Sequence, residues 1–268
     1  ALAHLPRWLL DPLGPVALRP GHGLAFAPWA WRFFRAGRAD RVAQTSQAMA
    51  ALNHDNTTLF RTLLAGTGHE HLVRESSYVM AFRAGRRIDP QSLENRLRRA
   101  AGGSVEIIGQ AALREIEPAA APDFAGAVLL GGQARALSPG AICKAVEGKL
   151  RACGARVLRE EVRALRPDGA GGWQVHTSAG AHRAGRVVLA AGAWSARLLA
   201  PLGLHLPLEA ERGYHIAFPG VEVGINNSLM DLEMRLVASC MEGGVRVAGT
   251  AEFGGLDAAP SARRAAAL

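Results

Sequence analysis

Residues 187–199 read VVLAAGAWSARLL, and no other stretch of the chain narrows the choice of fold as much. Val187, Val188 and Leu189 form a short, wholly apolar run, the pattern of a central strand buried on both faces of a parallel sheet. Ala190, Ala191 and Gly192 follow. Small side chains at the carboxyl end of such a strand let a ligand approach the backbone, and open α/β sheets bind ligands in that crevice. A helix is expected to start near Ser195. On pattern alone, the same string also suits a tight strand-to-helix packing with no ligand.

The surroundings extend this reading. Ser138 precedes Pro139, an N-cap residue followed by proline at the first helical position. Ile142, Val146 and Leu150 then recur every four residues, and Gly154 closes the helix. A short strand is expected at 155–158, then strands at 162–165, 173–177 and 182–184, with turns at 168–172 and 179–181. A helix, a strand, a meander and the buried run at Val187 together describe half of a dinucleotide-binding fold. Elsewhere, Asp40 is expected to cap a long helix that turns Val42, Met49, Leu52, Leu59, Phe60 and Leu63 inward and ends at Gly66 or Gly68. Strands are expected at 78–82 and 127–130, and a helix from Asp89-Pro90 with Leu93 and Leu97 inward. Alternation at 214–218, 229–237 and 245–251 predicts an antiparallel sheet with one face on the core. Up to about residue 38, prolines and aromatics predict a packed loop and a short helix.

A complete dinucleotide fold also needs a GxGxxG turn after its first strand, whose N–H groups meet the pyrophosphate. Gly21-His22-Gly23 and Gly66-Thr67-Gly68 come nearest, and neither follows a buried strand or reaches a third glycine. At 268 residues the chain is long enough for one large domain or two intertwined ones. Its net charge of +8 rests almost wholly on arginine, since Lys144 and Lys149 are the only lysines. Those arginines are dispersed, with no aromatic platform or zinc spacing beside them, so nucleic acid is not an expected partner. Cys143, Cys153 and Cys240 lack CxxC spacing, which argues against a disulfide framework and favours a reducing, cytoplasmic setting. No metal is expected at His69-Glu70-His71, because no further ligands accompany these residues. Gly192-Ala193-Trp194-Ser195 lacks the GxSxG elbow of hydrolases. The apolar stretch 187–208 contains Arg197, Pro201, His205 and Pro207, which is unsuited to crossing a membrane. The first residue is alanine and the chain stops after Ala-Ala-Ala-Leu268, so both ends are expected to be cuts.

Several pieces occur in a recognisable order: Leu5-Pro6-Arg7-Trp8-Leu9-Leu10-Asp11-Pro12, Pro28-Trp29, the helix–strand–Glu-Val pattern from 139 to 162, and the run 187–195. They are followed by Glu211-Arg212-Gly213-Tyr214-His215-Ile216 and by RVAGTAEFGG at 246–255. Together they resemble the FAD-dependent oxidoreductases of the D-amino-acid oxidase/dehydrogenase superfamily, most of all the D-amino-acid dehydrogenases. The resemblance implies an α/β fold: a partial FAD-binding Rossmann-like domain, with ββα layers and a β-meander, interleaved with an antiparallel-sheet substrate domain. It implies that residues 1–137 mostly serve substrate binding, that 138–204 are the second half of the FAD-binding domain, and that 205–268 form the substrate sheet. It also implies a central fragment, without the amino-terminal phosphate loop and the carboxyl-terminal segment that closes over the flavin.

By the same resemblance, the backbone of Val162 faces the adenine, Ala191 and Gly192 line the cofactor near its pyrophosphate, and Trp194 packs at the cofactor's edge. Tyr214 and His215 lie on the substrate side, on opposite faces of a strand; Tyr214 is expected to hold the substrate carboxylate. Thr250 and Glu252 belong to a second substrate motif, where two-residue spacing puts them on one face. As plain structure, Val162 is a meander residue, Trp194 a core residue, Tyr214 a half-buried sheet tyrosine, and Thr250 with Glu252 a polar pair. The activity implied is oxidative deamination of D-amino acids to 2-oxo acids by hydride transfer to FAD. The alternatives are a glycine or sarcosine oxidase, a 2-hydroxyacid dehydrogenase, or a piece unable to hold FAD. No catalytic acid or base is assigned, because the flavin carries the redox chemistry while the protein orients. The implied partners are an amino-acid substrate and a quinone or other electron carrier, with peripheral attachment to the inner face of the plasma membrane.

Overall fold

The computed structural model describes residue 11 and residues 13–267. The motif at 5–12 therefore lies outside the described residues, apart from Asp11. The described strands are β1 (Val16–Leu18), β2 (Val73–Arg83), β3 (Ser104–Gly109), β4 (Phe124–Ala136), β5 (Val162–Pro167), β6 (Trp173–Thr177), β7 (Ala181–Ala184), β8 (Glu211–Pro219), β9 (Ser228–Asp231), β10 (Leu236–Met241) and β11 (Gly244–Phe253). A large sheet runs β8-β11-β10-β9-β2-β4-β3, with β1 beside the carboxyl end of β11. Strands β5, β6 and β7 form a separate antiparallel meander, with the turns where glycine and Asp168 place them. The class is α/β, as expected. The large sheet is mixed rather than antiparallel, because β1 runs parallel to β11 and β9 parallel to β2. Alternation reports which residues share a face but carries no information on strand direction.

Both faces of the sheet are used. On one face, Val79, Ala81, Ala127, Ile108 and Leu229 pack on Leu113 of the helix Gln110–Ile116. On the other, Met80, Val128 and Leu232 pack with Tyr78, Phe82, Leu130 and Met230. Each fully buried aliphatic side chain here contributes roughly 1.5–3 kcal/mol. Glu117, just beyond that helix, has no exposed surface. Its carboxylate accepts hydrogen bonds from the amides of Asn226 (2.9 Å) and Asn227 (2.6 Å) and from Asn227 Nδ2 (2.7 Å), fastening the lead into β9.

Five local expectations are corrected. Residues 187–189 belong to no sheet, and Val188 is 91% exposed; residues 155–158 likewise form no strand. A parallel strand exists through its hydrogen-bonded neighbours, and no described residue pairs with either segment. The long helix after Asp40 is two helices, Ala39–Asn53 and Asn56–Leu64, whose residues Met49, Leu52, Leu59, Phe60 and Leu63 are exposed. Periodicity was matched by no covering layer, and only Leu64 is buried, against Leu72, Ile142 and Ala145. The stretch 229–237 splits into β9 and β10, because the Asp231 side chain accepts from the amides of Glu233 and Met234 and forms a turn. The amino-terminal helix spans Gly23–Ala36 with Pro28 inside, longer than expected, and packs through Phe26 on Phe253 at 4.9 Å between ring centres.

Close strand packing exposes one test. A Cβ at Gly126 would sit 2.3 Å from the Ile108 carbonyl oxygen and 3.0 Å from the Phe82 ring. Gly126→Ala is expected to destabilise the chain by roughly 1–3 kcal/mol, since backbone must move to admit the methyl group. The readout is a lower urea midpoint at unchanged slope.

Candidate functional site

Strand β11 carries a β-bulge between Gly249 and Ala251, seen as a register shift against β8. Thr250, the extra residue, has φ +55°, a left-handed conformation that a β-branched side chain disfavours. Its hydroxyl is buried without a hydrogen-bond partner among the described residues. The bulge has a geometric consequence. Gly249 stands opposite Tyr214 and Glu252 opposite Arg212, so residues three apart on β11 share the face that Tyr214 and Arg212 share on β8. The regular two-residue alternation expected of Thr250 and Glu252 is interrupted there.

Glu252 is only 5% exposed. Arg19 reaches it twice, with Nε 3.0 Å from Oε1 and Nη2 3.2 Å from Oε2. The Tyr214 hydroxyl donates to Oε2 at 2.6 Å and accepts from the Ser261 amide at 2.9 Å. Arg264 stacks its guanidinium 5.8 Å from the Tyr214 ring centre and donates to the carbonyls of Gly14 and Ala251. Burial opposes ionisation of Glu252, but hydrogen bonds from Arg19 and Tyr214 and the charges of Arg19 and Arg264 outweigh it and hold the carboxyl below its usual range. Arg19 is correspondingly raised by its bond to Glu252. Arg19, Ser261 and Arg264 were not found by sequence reasoning. The available signal was a glutamate inside the otherwise apolar VAGTAEF, since a carboxylate on a buried strand needs a cation.

His215 stands on the opposite face of β8 and is exposed. Arg246 is its diagonal neighbour on β11, with Nη2 3.5 Å from His215 Nδ1. The Nε of Arg246 is buried without a hydrogen-bond partner among the described residues. The structure thus brings Tyr214 and Glu252 together and places His215 apart from them, beside an arginine.

The remaining candidates gather around the meander. Val162 opens β5 and is exposed. The helix Ser195–Leu199 packs on that strand, preceded by the 3-10 turn Gly192–Trp194. Ala191 is half-buried, Trp194 exposed, and Gly192 has φ +54° with nothing within 4 Å of where a Cβ would be. A separate cavity of about 790 Å³, lined by Asn53, His54, Phe60 and Gln133, involves none of these residues. Among the described residues no group of three or more His, Cys, Asp and Glu is arranged to hold a metal ion.

The model of the family described as DAO, FAD dependent oxidoreductase, matches residues 17–268. The chain belongs to the DAO family. FAD is that family's cofactor, and its members are oxidoreductases. A D-amino-acid oxidase of Bradyrhizobium diazoefficiens is 33% identical over 265 residues, which cover 98% of this chain and 63% of that protein. A D-amino acid dehydrogenase of the same organism is 28% identical over 255 residues, 93% of this chain and 60% of that protein. The glycine oxidase from Geobacillus kaustophilus superposes with a TM-score of 0.63 at 23% identity, over 82% of this chain and 58% of that one. The L-proline dehydrogenase from P. horikoshii gives 0.61 at 18% identity, over 78% and 59%. This DAO-family chain therefore spans about three-fifths of the length of the relatives it matches.

Glu252 makes a pH-dependent contribution to the stability of this DAO chain. Its folded pKa is depressed, so the stabilisation is complete above the ordinary glutamate value and is lost as pH falls through the folded value. Glu252→Gln is expected to cost roughly 1–3 kcal/mol near neutrality, because Arg19 loses its charged partner. Chemical denaturation of both proteins should show the gap closing in acid, below the ordinary glutamate range. A gap that stays constant with pH would remove the ion pair from this account.

Proposed function

We propose that this chain supplies the substrate sheet and one wall of the cofactor site of an FAD-dependent enzyme that oxidatively deaminates D-amino acids. The observation that carries the reading is similarity along 98% of the chain to a D-amino-acid oxidase, seconded by a D-amino acid dehydrogenase. In this reading residues 138–204 belong to the cofactor half, and 1–137 and 205–268 to the substrate half.

The residues around the meander fit one edge of an extended dinucleotide. Gly192 turns its open side outward, so backbone rather than side chain meets the ligand there. Val162 and Trp194 also present exposed apolar surface. Val162 would then lie against the adenine, Ala191 and Gly192 along the phosphates, and Trp194 at the edge. When bound, FAD would supply the hydride acceptor for oxidation of the substrate's Cα–N bond, the reaction that ends in a 2-oxo acid and ammonia. The chain's own task is orientation and exclusion of water.

Substrate placement follows from which face is closed. The single proton of the Tyr214 phenol is committed to Glu252, and a second carboxylate beside Glu252 would meet like charge. The face bearing His215 and Arg246 is open and cationic, so these two residues are assigned to the substrate carboxylate. Tyr214, Glu252 and the bulge at Thr250 then set the geometry of β8 and β11 from behind.

Three measurements test the reading. The longer polypeptide that contains this chain is expected to purify yellow and to be bleached by D-alanine without oxygen. Bleaching by sarcosine or a 2-hydroxy acid but by no D-amino acid would replace the proposal with another reaction of the family. Arg246→Gln is expected to raise KM for D-amino acids at least tenfold with a smaller change in kcat. The 268-residue chain alone carries no GxGxxG loop and is expected to bind FAD weakly in a fluorescence titration; tight stoichiometric binding would contradict this.

A further inference from the structure

The face of the sheet that carries His215 and Arg246 can be followed from strand to strand through its register. Arg246 on β11 stands opposite Ser239 on β10. The hydroxyls of Ser239 and Ser228 share a hydrogen bond at 3.0 Å, which places Ser228 of β9 on the same face. Ser228 stands opposite Tyr78 on β2. At the register shift between β2 and β4 the extra residue lies on β4, so the alternation of β2 is unbroken and Arg74 shares the face of Tyr78. Arg135 on β4 stands opposite Arg74. Its side chain reaches back to β9, where Nη1 donates to the Asn227 carbonyl at 3.0 Å, one residue before Ser228. One pair of serines is therefore flanked by two arginines, Arg246 on one side and Arg135 on the other.

Donor capacity is left over along this strip. The serine pair spends one of its two hydroxyl protons on itself. The Tyr78 phenol, held protonated by burial, gives its proton to the Met230 thioether at 3.3 Å, a weak acceptor. Arg135 is 8% exposed, and its Nε is buried without a hydrogen-bond partner among the described residues. Burial first, then the like charge of Arg74, pulls its pKa below the usual arginine value, against the opposing pull of Cys240 and Glu117. A cation in that position is stabilised by any anion brought beside it.

On the assignment of the substrate α-carboxylate to His215 and Arg246, on which this inference rests, we propose that Ser228, Tyr78 and Arg135 receive a second carboxylate at the end of the substrate side chain. The substrate class is then an acidic D-amino acid of glutamate length. Neighbouring strands stand about 4.8 Å apart, so Arg246 and Ser228, two strands apart, are separated by about 10 Å of sheet. The four C–C bonds between the two carboxyl carbons of glutamate span roughly 5 Å. A hydrogen bond of about 2.9 Å at each end fills the remainder. An apolar side chain of the same length would cover these donors and leave them unpaired, and a site built to hydrogen-bond its substrate discriminates strongly against such an analogue.

The longer polypeptide that contains this chain, carrying FAD, tests this by bleaching of the flavin without oxygen. The second-order rate constant for D-glutamate is expected to exceed those for D-glutamine and D-norvaline, which have its length without its charge, at least tenfold. Arg135→Met should lower the ratio of D-glutamate to D-norvaline at least tenfold. Ser228→Ala, a smaller change if the arginine variant does not fold, should lower it at least threefold. A binding measurement adds a readout free of turnover: glutarate, which has no amine to oxidise, should bind at least tenfold tighter than pentanoate in calorimetric titration, and Arg135→Met should remove that preference. D-norvaline or D-glutamine reacting as fast as D-glutamate, or a ratio unchanged in both variants, would overturn the proposal and leave oxidation of D-amino acids standing. Bleaching by no D-amino acid would overturn that function, and this proposal with it.

Discussion

A carboxylate on a buried strand must be neutralised where it stands, and much of this molecule is arranged around that requirement at Glu252. Its partners come from far along the chain: Arg19 after β1, Tyr214 on β8, and, through Tyr214, Ser261 and Arg264. Arg19 also donates to the carbonyl of Ala259, so one arginine holds both the carboxylate and the segment that follows β11. Strand β11 is the element these contacts stabilise, and it is the strand that pairs with β1, β8 and β10. The left-handed residue Thr250 makes this geometry possible by adding one position to β11, at a conformational cost of order 1–3 kcal/mol.

Glu117 repeats the device at the other side of the sheet. Its carboxylate is satisfied by backbone amides and an asparagine rather than by a cation, and it fixes the approach to β9. The parallel register of β9 on β2 follows from that approach, with Tyr78 opposite Ser228. Two buried acids thus set the two long-range connections that make the sheet mixed.

These constraints also make the two sides of the sheet different in character. The Tyr214 side is filled by its own hydrogen-bonded network, whereas His215 on the opposite side is exposed beside Arg246. The outward residues Leu24, Trp31 and Phe34 of the helix Gly23–Ala36 and the exposed run at Val188 are different kinds of surface. The first is bordered by arginines. The second is an unpaired strand sequence with little charge, whose natural complement is other strands of a sheet.

Much of the local structure was legible in the sequence, because it depends on nearby residues. The helix Pro139–Ala152, the meander β5–β7 with its Asp168 turn, and strands β2, β4, β8 and β11 follow from caps, glycines and alternation. The ordered motifs, Val187 to Ser195 among them, were enough to indicate the family. Tertiary structure decided what depends on partners distant in sequence. It determined that Val187 to Leu189 pair with no described strand, that β9 lies parallel to β2, and that Leu52 and Phe60 face outward. It also determined that Glu252 meets Arg19 and Tyr214 through a bulge. Periodicity states which residues prefer to be buried; whether a neighbouring strand, helix or arginine is there to bury them is set only when the chain folds back on itself.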